Sequence, residues 1–212
     1  MGQKVNPKSF RLGIVFDWQS HWFGGKNYRN ILLEDYRIRQ SLMKKLKIAG
    51  IARVEIDRSI NSIKIMVFVS RPGIVIGRAG TGLEELKKFL LELIKERNGK
   101  NIPKMDIRVE QVKDPNLDAY LVAQNVSDQL IKRLPPKRIL NQSAERTMNA
   151  GAKGVRIVLS GRVGGAEIAR REKIQTGTVP LSTLREKVDF ASNPSLTKKG
   201  YVGVKVWINR GE

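Results

Sequence analysis

The stretch RPGIVIGRAG, from Arg71 to Gly80, sets an apolar run directly against a turn with glycine at both ends and a basic residue inside it. Pro72 suits the first turn of a short helix, which Gly77 interrupts. Beyond Gly80, the spacing of Leu83, Leu86, Leu90, Leu93 and Ile94 predicts a second helix with Thr81 as N-cap, Glu84 four residues before Lys88, and Asn98-Gly99 as its stop. A glycine pair between two helices lets the backbone turn sharply and leaves no Cβ in the way of a close approach. Helix N-terminal amides and Arg78 then face outward, where a phosphate can be met. Alone, such a pair is more often just a tight turn. A nucleotide P-loop is disfavoured because no Gly-Lys-Ser/Thr ending follows, and the spacing is not the dinucleotide Gly-x-Gly-x-x-Gly.

The flanking elements give the turn its context. From about Asn30, Ile38, Leu42, Leu46 and Ala49 share a helix face that stops at Gly50. Val54 and Ile56 then alternate with charged neighbours in one strand. Ile63, Ile65, Val67 and Val69 line a second, with Asn61-Ser62 at the turn. Met105, Ile107 and Val109 make a third strand after the glycine-flanked helices. The order helix-strand-strand-helix-GxxG-helix-strand, over residues 31–112, resembles a KH domain of the helix-first, type II variant. That resemblance implies that Gly77, Arg78, Ala79 and Gly80 clamp an RNA backbone.

Charge points the same way. Forty Lys and Arg against 20 Asp and Glu leave a net +20, an excess that calls for a polyanionic partner. No apolar run approaches the roughly 20 residues of a membrane span, no signal peptide opens the chain, and Asn6 stands where the myristoylation pattern wants Ser or Thr. A membrane partner is therefore not expected. There is no cysteine and one histidine, His21, so neither disulfides nor a thiolate or histidine metal site is available, and a reducing cytoplasm fits. Acidic residues sit beside basic ones rather than in spaced clusters, so neither a nuclease site nor any cofactor is expected.

Residues 1–30 read as an irregular basic segment with interleaved aromatics. Lys4, Lys8 and Arg11 are expected to lie along RNA or a neighbouring protein. The segment's tryptophans are expected to pack on the body rather than stack on bases. A second unit spans 113–212. Asp114 is a candidate N-cap with Pro115 at the first helical position, and Ala119, Val122, Val126 and Leu130 form the apolar stripe. Pro135-Pro136 breaks that helix, and another follows with Lys137 and Arg138 in its first turn. Lys132 and Arg133 complement the C-terminal end of the first helix dipole, but Lys137 and Arg138 oppose that of the second. This basic corner is a candidate RNA contact. Strands follow at Val155–Leu159, in the arginine-dense segment after the glycine-rich turn, at about Leu184–Phe190, and at Val202–Ile208. Two helices covering one face of about four antiparallel strands make an α+β layer. Arg162, Arg170, Arg171 and Lys173, with the exposed sheet face, are candidate phosphate contacts.

MGQKVNPKSFRLGI, RPGIVIGRAG, GAKGVRIVLSGRVGGAEIAR and VGVKVWINRGE together resemble the bacterial-type small-subunit ribosomal protein S-three family, in the same order along nearly the whole chain. The resemblance implies an α+β protein of two domains, a type II KH domain and a C-terminal ribosomal domain. It implies a cytoplasmic scaffold that is neither an enzyme nor a homo-oligomer, held on the solvent side of the small-subunit head by small-subunit (16S-type) ribosomal RNA and neighbouring proteins. Part of it would form the pore through which messenger RNA enters, with the grip falling on Arg133, Lys137 and Arg138. A further basic position one turn on falls on Asn141, which is uncharged, and Pro135-Pro136 replaces bulkier residues. The competing reading is a free-standing KH regulator of messenger RNA, which would not need residues 113–212.

Overall fold

The Asn6 side chain accepts a hydrogen bond from the Lys8 amide at 2.9 Å and opens a one-turn helix, α1 (Pro7–Phe10). The basic N-terminal segment is thus partly regular. It is also divided: in the computed structural model, which describes residues 4–59, 62–98 and 104–211, residues up to Asp17 join those from Asp114 onward in one unit, and Trp18–Lys113 form the other.

In the unit Trp18–Lys113 the order is β1 (Ser20–His21), α2 (Tyr28–Lys45), β2 (Ile51–Arg58), β3 (Ser62–Val69), α3 (Pro72–Ile76), α4 (Thr81–Asn98) and β4 (Lys104–Gln111). The sheet runs β1-β2-β3-β4; β2 and β3 are antiparallel, and both outer pairings are parallel. Period-2 alternation buries Val54, Ile56, Ile63, Ile65 and Val67 against Ile38, Leu42, Leu86 and Leu90 of the helices. Leu46 and Ala49 lie past the end of α2, Ala49 within a 3₁₀ turn, but remain buried as expected. Asn61 and Gly99, the expected turn and stop, lie outside the described residues. The short strand β1 was not foreseen. It is held by buried Asp35, which accepts from Ser20 Oγ at 3.2 Å, Trp22 Nε1 at 2.8 Å and Arg58 Nε at 2.7 Å. Trp22 thus packs on the body, its ring 5.3 Å from that of Tyr28.

The other unit adds α5 (Ala119–Ile131), α6 (Pro136–Asn149), β5 (Gly154–Gly161), β6 (Arg170–Gly177), β7 (Val188–Thr197) and β8 (Gly200–Asn209). Its sheet is antiparallel throughout, in the order β6-β5-β8-β7. One face, with Ile157, Leu159, Val204 and Val206, packs on Val122, Val126 and Leu140 of the helices. Asp114 is not the cap of α5. Pro115–Leu117 form a 3₁₀ turn, and Asp118 caps the helix by accepting from the Tyr120 and Leu121 amides. The third strand begins at Val188 and runs through Pro194, which its edge position permits. Among the described residues no helix is long and apolar enough to cross a membrane.

Candidate nucleic-acid interface

Gly77 and Gly80 have φ of 70° and 83°, in the left-handed region that glycine occupies at little cost, and Arg78 between them is exposed. Thr81 is not an N-cap: its backbone is already helical, and its hydroxyl donates to the Arg78 carbonyl at 2.9 Å. A third glycine, overlooked in the motif, is needed beside it. A Cβ on Gly82 would fall 2.5 Å from the Val75 carbonyl oxygen, so α3 and α4 meet as closely as they do only because this side chain is absent. A glycine in the first turn of a strongly patterned helix was the available signal.

At the α5–α6 corner, Lys132, Arg133, Lys137 and Arg138 are all exposed, and none has an ion-pair partner among the described residues. No side chain caps α6, whose N-cap position is Pro135, so the cations stand at an undecorated helix start. Arg133 is the one non-glycine among the described residues with positive φ, 61°. Its amide donates to the Leu130 carbonyl and the Leu134 amide to the Gln129 carbonyl, which is the Schellman arrangement that normally takes glycine at this position.

The arginine run after the glycine-rich turn is not one surface. Arg170 pairs with Glu172 at 3.4 Å on the helix-facing side of β6, and its guanidinium and Pro136 flank Gly164, which brings it to the start of α6. Arg171 and Lys173 project from the opposite face, opposite Ser160 and Val158, and the pleat continues this face into Lys205 and Trp207 of β8. Arg162 is half-buried and donates from Nε to the Ala166 carbonyl at 2.9 Å, which shapes the turn.

The three N-terminal cations separate as well. Lys4 is exposed. Lys8 reaches the buried carboxylate of Asp189 at 2.7 Å. Arg11 is fully buried. It donates to five backbone carbonyls: from Nε to Glu186 at 2.8 Å, from Nη1 to Pro7 at 3.1 Å, and from Nη2 to Pro180, Leu181 and Thr183 at 2.9, 3.2 and 2.7 Å. All three guanidinium nitrogens of Arg11 thus donate inside the protein, in contrast to the RNA contact expected of it.

Among the described residues no group of three or more potential metal ligands occurs. Residues 37–117 match the KH domain family model, and residues 126–208 match the C-terminal domain of ribosomal protein S3. The whole chain is 46% identical to small ribosomal subunit protein uS3 of Caldicellulosiruptor saccharolyticus over 213 residues, covering 93% of that protein. It is 46% identical over 212 residues to the uS3 of Desulfitobacterium hafniense, covering 94% of it, and 47% identical over 213 to that of Desulforudis audaxviator, again covering 94%. With a KH unit, an antiparallel C-terminal unit and full-length identity of this order, the chain belongs to the uS3 family of small ribosomal subunit proteins.

Proposed function

We propose that this chain is a cytoplasmic structural constituent of the small ribosomal subunit, bound to small-subunit ribosomal RNA and neighbouring proteins in the head, with its α5–α6 corner gripping incoming messenger RNA. It is a scaffold rather than an enzyme: phosphates are neutralised by Lys and Arg held at fixed spacing on two folded units, so affinity falls steeply with salt, roughly 0.7 log units per single-strand phosphate contact. Any unwinding at the corner is passive, the work coming from translocation. The Gly77–Gly80 turn, with Arg78, and the Arg171–Lys173 face are further RNA contacts in this reading.

The observation that carries it is Arg133. A left-handed backbone costs a non-glycine residue about 1–2 kcal/mol, yet arginine occupies the site beside two cations that oppose a helix dipole. The strained backbone at Arg133 and the cations at the start of α6 both cost folding energy, which the charge of Arg133 at the C-terminal end of α5 offsets only in part, and a grip on phosphate accounts for both. Arg133→Gly leaves stability within about 0.5 kcal/mol of wild type, the relieved strain being offset by glycine's extra unfolded-state entropy and the lost interaction with the α5 dipole, yet weakens single-stranded RNA binding. Urea midpoints and RNA titrations on the same variant check both. Lys137→Ala with Arg138→Ala leaves folding and assembly unchanged, lowers the salt slope of RNA binding by roughly 1.4, and slows translation of structured messages several-fold. Equal translation of structured and unstructured messages by this double variant would overturn the grip. Sedimentation of a lysate tests the wider reading: the chain travels stoichiometrically with small subunits at moderate salt, and a position near the top of the gradient would favour a free regulator of messenger RNA.

A further inference from the structure

Residues 4–7 and Phe10 do more than wrap the edge strand β7. With the outer face of the C-terminal sheet they enclose a recess of about 840 Å³, within the range of small-ligand sites. Its floor is apolar and aromatic: Val158, Phe190 and Trp207 belong to a small cluster on the sheet face turned away from the helices. Phe10 and Val5 form the wall, 44% and 70% exposed. Three cations, Lys4, Arg171 and Lys205, stand among the lining residues, together with the hydroxyls of Ser160 and Ser182. No carboxylate lines the recess, and among the described residues none pairs with these three cations.

We propose that this recess is a pocket for a single unstacked nucleotide of single-stranded RNA, its base against Phe10 and the sheet floor and its phosphates on Lys4, Arg171 and Lys205. The charge decides the occupant. An apolar protein side chain would fill the floor but desolvate three cations without pairing them. A nucleotide brings a flat apolar ring and the anions together, the combination by which single strands are held without a fixed sequence. A base within a duplex cannot reach the floor, so the segment bound is unpaired. The inference rests on the RNA-binding reading above and adds a site to it.

The test uses the full chain and a ten-nucleotide single-stranded RNA carrying 4-thiouridine, with an abasic RNA of equal length as control. Val5→Trp fills the mouth from an exposed position, so the fold is kept. Lys205→Ala removes one cation. Photocrosslinks are expected on the peptide containing Phe10 and on β8, and Val5→Trp abolishes them. That variant also weakens binding of the base-bearing RNA about tenfold, the stacking of one base, with the abasic RNA unaffected. Lys205→Ala lowers the salt slope by roughly 0.7 for both. Wild-type binding with crosslinks confined to the Gly77–Gly80 turn or the α5–α6 corner, and unchanged in Val5→Trp, would overturn the pocket and leave RNA binding standing. Failure to bind any RNA would overturn both. Small subunits built with Val5→Trp that lose a neighbouring protein while keeping their RNA crosslinks would assign the recess to a protein side chain and overturn the proposal.

Discussion

Arg11→Ala destabilises the unit that contains the chain's first 17 residues and its C-terminal half by about 3–5 kcal/mol, the largest single-residue effect expected here. The guanidinium ties the end of α1 to the segment Pro180–Glu186 through four carbonyls, with a fifth bond back to Pro7. Hydrogen bonds from a charged donor are worth roughly 1.5–3 kcal/mol each, but several of these carbonyls lie near the surface and regain water once the segment loosens, which limits the total. Arg11→Lys does not rescue the loss, because an ammonium has three donors on a different geometry and cannot span carbonyls on both sides. The measurements are urea unfolding and limited trypsin cleavage after Lys8, which becomes fast in both variants. A role for Arg11 on RNA predicts the opposite pattern: wild-type stability in Arg11→Lys and a salt slope smaller by about one unit in Arg11→Ala.

Asp189→Asn costs about 3 kcal/mol at neutral pH, and it changes how stability depends on pH. Asp189 is buried on edge strand β7, accepts from the Ala119 and Phe190 amides, and faces Lys8 at 2.7 Å and Arg210 at 2.8 Å. It ties the first residues, the start of α5 and the end of β8 to one carboxylate. The cost sits at the low end of that for breaking a buried pair, because Lys8 can turn to solvent and Arg210 keeps Asp118 at 3.2 Å. Burial pushes the Asp189 carboxyl up, but Lys8 and Arg210 outweigh it and hold the group below the ordinary carboxylate range. Its stabilisation is therefore present above the unfolded value, about 3.9, and is lost as pH falls through the lower folded value. Asp118 moves the other way: burial first, then repulsion from Asp189, raise it. Its charge weighs against the fold above its folded value, and protonation on the way down toward the unfolded value favours the fold. Stability of the wild type hence holds or rises slightly on mild acidification and then drops steeply, whereas Asp189→Asn removes the steep acid limb and lowers Asp118 toward normal. Urea midpoints from pH 7 to pH 3 distinguish the curves; parallel curves would sink the assignment.

Much of the architecture was legible in residue order. Period-3.6 and period-2 patterns located the helices and strands because each element buries one face, and a buried face is written in the local sequence at Ile38 and Leu42 or at Val155, Ile157 and Leu159. The RPGIVIGRAG turn and the basic corner were visible for a related reason: glycine spacing and charge out of place are local properties. Local rules failed where two local solutions competed. Asp114-Pro115 and Asp118 both fit a helix start, and the chain uses the first for a 3₁₀ turn. The expected strand lay at about Leu184–Phe190, yet an edge strand needs only one partner and continues through Pro194.

Charge and periodicity alone determined that this is a strongly basic, two-unit α+β chain, and the resemblance of its motifs to the uS3 family added the rest, since none of these needs knowledge of what folding brings together. Only the tertiary structure decided what each cation does. Arg11, Lys8, Arg170 and Arg171 are chemically alike in one dimension. One is enclosed by carbonyls about 170 residues away, one reaches a buried carboxylate, and the last two are parted by the pleat of a single strand onto opposite faces. A cation is free for phosphate only when folding brings it no oxygen of its own, and that depends on contacts between distant segments.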